Sequence, residues 1–387
     1  MNTEFKTKEG KVNFYRIVNN DILHSFGDKI GDVPVCGKRL IDLQNLSIAA
    51  VGGNIRNIPD VSVIHDEDEY LLFDENIFFT TGFLKTVLDL IKSKQTNLQL
   101  CLSQNSFNER YVLPCTQDTA EYHLLNMFYK RDGGDSELCP VDQQIFEHSM
   151  VLPSQIIRDR IFHMDQCEVF ASAIISPFHL LYVNLAVNLM RTIPLQKKLP
   201  KFLRERFGNP GGKWYYRGLK RLNRIGKNCN IHPSALIEGS VIGNNVTVGA
   251  NSIVRLSTLG SDCSISDNVS VINSILGDKT YIANSNYINS CLTFNEVFLI
   301  HGPYQVSVFG ENATCFAVIN CDIRLDQKNI KISTSQGVLD SNQEFLGIAY
   351  GHRSKIGGGN IIAAGRIVPN DLHITPPDNI ILNFNDL

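Results

Sequence analysis

Between positions 225 and 277 an aliphatic residue followed by glycine recurs at one constant step, in the pairs Ile225/Gly226, Ile242/Gly243, Leu259/Gly260 and Leu276/Gly277. Phe309/Gly310 comes next, a single position short of two further steps. Other aliphatics fall six positions after these anchors and six again: Ile231, Val248, Ile265 and Ile282, then Ile237, Val254, Val271 and Ile288. A six-residue rhythm with one corner a residue short predicts three short strands per turn of a parallel β-helix. One aliphatic from each strand points inward and stacks on its equivalent in the next coil. A single coil cannot bury its apolar side, so several must stack. Gly226, Asn244, Asn245, Gly249 and Asn268 are expected at the corners, where positive φ is needed. A β-sandwich with strands at similar spacing would not hold so strict a period.

Residues 1–190 lack the repeat and alternate strand-like with helix-like segments. The apolar runs 61–64, 70–73 and 98–102 predict strands, and 81–94, apolar at 83, 84, 87, 88, 90 and 91, predicts an amphipathic helix. This is an α/β pattern. Residues 131–136 are a loop by composition, and 177–191 form a strongly apolar helix. Residues 191–224 are a basic connector leading into the β-helix at 225–387. Across 197–227, cations from Lys197 to Lys227 face the single acid Glu205, with Trp214, Tyr215 and Tyr216 among them. Such a patch suits a phosphate or an anionic surface, although a solvated linker packing its aromatics on the prism end explains it more simply. The excursion 328–345 reads as a loop or hairpin leaving the prism, and Lys355, Ile356 and Gly357 restart the repeat.

Composition changes this picture little. The formal net charge is −3, so bulk electrostatics names no partner and no nucleic acid is expected. No apolar run reaches membrane-spanning length. The N-terminus is polar and lacks a signal-peptide core, which with ten cysteines in no metal spacing predicts a reduced, cytoplasmic protein. No metal site is predicted, and Cys315 and Cys321 are expected to share one face.

The chemistry sits near the end of the regular repeat. His301 and Tyr304 stand three positions apart, followed by Asp322, Arg324, Asp326, Lys328 and Asn329, then Phe345, Leu346 and Gly347. In order and spacing residues 225–370 resemble the acetyltransferase domain of bifunctional sugar-1-phosphate nucleotidylyltransferases of the archaeal type, which make UDP-N-acetylhexosamines. Asp322 stands where that family has Asn, and His352 where it usually has Asp. The resemblance implies a left-handed parallel β-helix, a homotrimer, and an acyl-CoA co-substrate such as acetyl-CoA in a groove between subunits. It implies an acceptor amine or hydroxyl on a sugar phosphate or nucleotide sugar. Acyl transfer from a thioester needs a base of near-neutral pKa, and histidine is the usual choice. The matching residue is His301, with His352 as the competing base. Tyr304 would bond acceptor or phosphate and Asp322 would orient the acceptor. Arg324, Lys328, Lys331, Lys355 and Arg366 could hold the phosphates of coenzyme A or of the sugar.

In the N-terminal half, residues 34–42 resemble the segment after the catalytic loop of a sugar nucleotidylyltransferase, and Asp74 with Glu75 falls where that family binds metal. Residues 13–33, however, hold no clustered glycines to cradle a triphosphate, and Lys29 is out of register. The expectation is a degenerate nucleotidyltransferase-like fold. Two alternatives stay open: a divergent Mg²⁺-dependent sugar-1-phosphate nucleotidylyltransferase using Asp74 or Glu75 with Lys29 or Lys38, Mg²⁺ being needed only if that domain is active, and a non-catalytic β-helix scaffold.

Overall fold

The computed structural model describes residues 12–64, 69–94, 96–152, 161–197 and 213–374. The chain divides into two compact units, Met1–Lys198 with Ser333–Asn342, and Leu199–Ile332 with Gln343–Leu387. The hairpin tip that leaves the C-terminal repeat thus belongs to the N-terminal unit.

That N-terminal unit is α/β. Its main sheet has six strands, β1 (Asn13–Ile17), β2 (Ile55–Ile58), β3 (Tyr70–Asp74), β4 (Leu98–Ser103), β5 (Tyr122–Lys130) and β6 (Glu137–Pro140). They lie in the order β2-β1-β3-β5-β4-β6. β1 runs parallel to both β2 and β3, and β5 is antiparallel to both β3 and β4. Helix α1 (Leu40–Ala49) joins the first pair, and α2 (Thr81–Ser93) buries Phe83, Leu84, Val87, Leu88 and Ile91 along one face. Thr80 caps α2 by accepting the N–H of Phe83, and Ser176 caps the apolar helix Pro177–Met190, whose second turn is buried all round. One expected strand is not one. Residues Val61–Val63 form a 3₁₀ turn, because the Asp60 carboxylate accepts the N–H of Ser62 and holds the chain in a helical turn.

The second unit is a parallel β-helix, and the sheets follow the spacing in the sequence. Its first face stacks Ile225, Ile242, Leu259 and Leu276 in register; the second stacks Ile231, Val248, Ile265 and Ile282; the third stacks Ile237, Val254, Val271 and Ile288. Their continuation carries Leu299, Cys315 and Ile356 on the second face and Tyr304 on the third, all at most 1% exposed. Each buried aliphatic contributes about 1.5–3 kcal/mol through lost contact with water. The first face skips from Val308 directly to Ala349, as if the excursion between them were absent.

The corners correct one expectation. Positive φ falls on Asn228, Asn245, Asp262, Lys279 and Glu296 along one edge, and on Asn251, Asn268 and Ser285 along another, but not on the anchor glycines 226, 243, 260 and 277. Those glycines are required for closeness. A Cβ on Gly243 would come within 2.6 Å of the main chain of Gly260 in the next coil. Cys315 and Cys321 also part: the first is buried in the prism and the second is exposed beyond the third face.

Among the described residues no helix is long and apolar enough to cross a membrane, which says nothing of a β-barrel. The basic run from Lys198 to Arg206 lies outside the described residues, as do the side chains of Lys213, Trp214, Tyr215 and Tyr216.

Candidate functional site

Stacked positions in successive coils keep the constant step of the repeat until one corner loses a residue. Ile282 pairs with Leu299, a full step on, but Ile288 pairs with Tyr304, one position short of it. The deletion therefore lies between the second and third faces, in the segment that holds His301. That residue is exposed and adopts φ 53°, the left-handed geometry of a tight corner. Its ring lies 5.2 Å from that of Phe316 in the next coil, itself 44% exposed. Beneath the corner, the buried Asn286 accepts the main-chain N–H of Gly302 and donates to the carbonyl of Ala283. A Cβ on Gly302 would stand 2.8 Å from the Tyr304 ring and 2.9 Å from Asn286 Oδ1, so only glycine fits.

Tyr304 faces the other way. Its side chain is fully buried, and its hydroxyl donates to the carbonyls of Ile300 (3.0 Å) and Cys315 (3.3 Å). Desolvation holds the phenol far above its ordinary pKa. The hydroxyl is thus spent inside the prism and does not reach a substrate, which corrects the role expected for it.

Asp322 lies just past the third-face strand Ile319–Asn320 and is half-buried. Gln305, on the third face of the preceding coil, donates its amide N–H to Asp322 Oδ2 at 2.9 Å. Burial raises the carboxyl above its ordinary range, and the hydrogen bonds from Gln305 and from its own main chain pull it back down. His301 and Gln305 are four positions apart, so one short segment carries the exposed imidazole and the group that touches Asp322. Nothing in composition marks Gln305; the signal was its place opposite the inward Tyr304 on a strand.

His352 is on a different edge of the prism, between the first and second faces. It is 6% exposed, and its Nδ1 accepts the N–H of Glu311 at 2.7 Å. Its own N–H is accepted by Asn370 Oδ1. The same edge carries Asn244 capping Lys227, Ser261 capping Asn244, Asp278 capping Ser261 and Asn295 capping Asp278. His352 is one rung of this ladder, and the structure does not bring it to His301.

Four of the five cations fall in two neighbouring pairs, Arg324 with Lys328 about Asp326 and Lys331 with Arg366, and Lys355 is on the second face. Arg324 is exposed and bound bidentately to Asp326. Arg366 donates to the carbonyl of Lys331 at 3.3 Å. Lys328, on the excursion, and Lys355, on the outer side of the second face beside Thr314, are exposed.

In the N-terminal unit Asp74 ends β3 and accepts from Asn126 Nδ2 at 2.8 Å. Burial raises its carboxyl, and burial also raises that of Glu75, which the nearby Arg16 guanidinium partly offsets. Arg16 is 2% exposed and held by the amides of Gln44, Asn45 and Asn57. Lys29 closes a turn against Ile22, and Lys38 is exposed. Among the described residues no three His, Cys, Asp or Glu side chains gather in a metal-ready group.

No family model and no curated protein matches the chain. Solved structures are similar over part of it. One is a mutant of the GDP-perosamine N-acetyl transferase of Caulobacter crescentus, in complex with CoA and GDP-perosamine. It is 14% identical, has a TM-score of 0.20, and the match covers 48% of this chain and 70% of that one. Another is a hexapeptide transferase family protein of Anaplasma phagocytophilum, 15% identical, with a TM-score of 0.16 and coverage of 38% and 78%. Likenesses this low carry no argument about activity, and the fold rests on the strand registers themselves.

Proposed function

We propose that the β-helix unit is an acyltransferase that moves an acyl group from an acyl-CoA to an amine or hydroxyl of a sugar phosphate or nucleotide sugar. One observation carries the reading. The one-residue-short corner presents His301 outward, and the strand that follows holds Asp322 through Gln305 on the next coil. His301 takes the proton of the acceptor N–H or O–H as its lone pair attacks the thioester carbonyl. The carbon–sulfur bond then breaks, the acyl group stays on the acceptor, and the proton passes to the departing thiolate. Asp322 orients the acceptor. Lys328, Lys331, Lys355 and Arg366 are the cations left to meet phosphate, since Arg324 is already paired with Asp326. The same reading makes the protein a cytoplasmic homotrimer, with Phe298, Phe316, Ile319 and Ile361, each at least 37% exposed, covered by neighbouring subunits.

Free-thiol release from acetyl-CoA tests this, with amino-sugar phosphates and nucleotide amino-sugars as acceptors and His301→Ala as control. Acceptor-dependent release that the variant loses supports the reading. A folded protein that releases no thiol with any acceptor supports the scaffold reading, which is favoured by Tyr304 and His352 both being spent on the prism.

A further inference from the structure

A row of polar side chains runs along the outside of the prism, parallel to its axis, and ends at Asp322. Asn273 Nδ2 donates to Ser290 Oγ at 3.3 Å, and Ser290 Oγ donates to Asn289 Oδ1 at 3.2 Å. Asn289 Nδ2 reaches Gln305 Oε1 at 3.5 Å, and Gln305 Nε2 meets Asp322 Oδ2 at 2.9 Å. The polarity of the row follows from chemistry. An ionised carboxylate only accepts, so Gln305 must turn its N–H₂ towards Asp322 and its oxygen back to Asn289. Among the described residues no Lys or Arg contributes to the ionisation of Asp322, whose surroundings are burial, Gln305 and its own main chain. Burial disfavours the charged form of this half-buried carboxyl, and the hydrogen bond from Gln305 opposes that effect.

We propose that Gln305 is a positioning residue: its carboxamide, oriented by Asn289 from the coil before, fixes one oxygen of Asp322. A carboxylate accepts about four hydrogen bonds, so lone pairs remain for a donor on the acceptor molecule. The functional meaning rests on the acyltransferase reading above, but the effect on Asp322 does not. Gln305 contacts no reacting atom; it acts through Asp322.

The test uses the full chain with Gln305→Met, which keeps length and removes the donor, and Asn289→Leu, which leaves Gln305 in place but removes the group that orients it along with the acceptor for Ser290. The Asp322 carboxyl is titrated by ¹³C NMR in the free protein, with Asp322→Asn assigning the resonance. Gln305→Met is expected to raise its pKa by roughly one unit, the scale of a lost hydrogen bond to a carboxylate, and Asn289→Leu by less in the same direction. Unchanged melting temperatures would show that the shift is local. An Asp322 titration that stays put in Gln305→Met overturns the proposal. In acyl transfer Gln305→Met should lower kcat more than it raises KM, because Asp322 is no longer held, while the acidic limb set by His301 stays in place. A titration shift with no thiol release from the parent protein would retain the role of Gln305 and sink the acyltransferase reading instead. A moved titration with an unchanged kcat would show that Asp322 is not used in the reaction.

Discussion

The carboxamide of Asn286 joins two successive coils, its oxygen accepting the N–H of Gly302 and its nitrogen donating to the carbonyl of Ala283 at 2.7 Å. Asn286 is 2% exposed. Replacing it with Leu strands a buried donor and should cost about 1–3 kcal/mol in denaturant unfolding. Asn286→Asp keeps the acceptor but turns a second oxygen on the Ala283 carbonyl, so its cost should shrink as the pH falls and the carboxyl becomes a donor. If His301 is the base, Asn286→Leu should also lower kcat more than it raises KM, because the corner carrying the imidazole loosens. A cost for Asn286→Asp that does not change with pH would sink this account of the corner.

His352 should matter to stability and little to chemistry. His352→Ala removes the acceptor that caps Glu311 and should cost roughly 1 kcal/mol, as lost caps do. His352→Asn, the residue used elsewhere on that edge, should recover part of it. Loss of thiol release in a stable His352→Asn protein would restore it as a candidate base.

Leu299 is fully buried where the second face passes under His301. Truncation to Ala should destabilise by about 2–5 kcal/mol, from lost burial and the cavity left behind. Chemical denaturation reads the size directly. A value under about 1 kcal/mol would mean that the coil collapses around the gap.

His179 gives the N-terminal unit an acid limit. It is 1% exposed, and desolvation lowers its pKa from 6.5 to about 4. The folded state therefore keeps the ring neutral where the unfolded chain takes up a proton. Its contribution is complete above pH 6.5 and is lost as the pH falls from 6.5 towards 4, by about 3 kcal/mol. Stability measured across that window should fall more steeply in the parent protein than in His179→Leu. Parallel slopes would show that the ring is not held neutral.

The stacking of the prism was legible because burial forces one inward aliphatic per strand, and so strict a period admits few other architectures. The orientation of Tyr304 was legible too, but only after the missing residue is placed. Ile288 and Tyr304 occupy the same inward position, and the deletion at the His301 corner hides it. The capping role of His352 was not legible. Its partner Glu311 is 41 residues away across the excursion, and no local pattern spans that gap. Val61–Val63 reads as a strand by composition, and a single Asp60 side chain reverses it. Anchor glycines recur for close approach between coils, which a sequence cannot separate from a need for positive φ.

The jump from Val308 to Ala349 has a consequence for how the chain assembles. A regular coil closes a loop no longer than the repeat itself, as from Leu259 to Leu276, whereas this step takes in the whole excursion. The added closure entropy is only about 0.8 kcal/mol. More telling, residues 333–342 inside that loop belong to the other compact unit. Stacking from Ile242 meets no detour as far as Phe316. The coils from Ala349 onward lie beyond the excursion and are expected to be the last part of the prism to gain protection from hydrogen exchange.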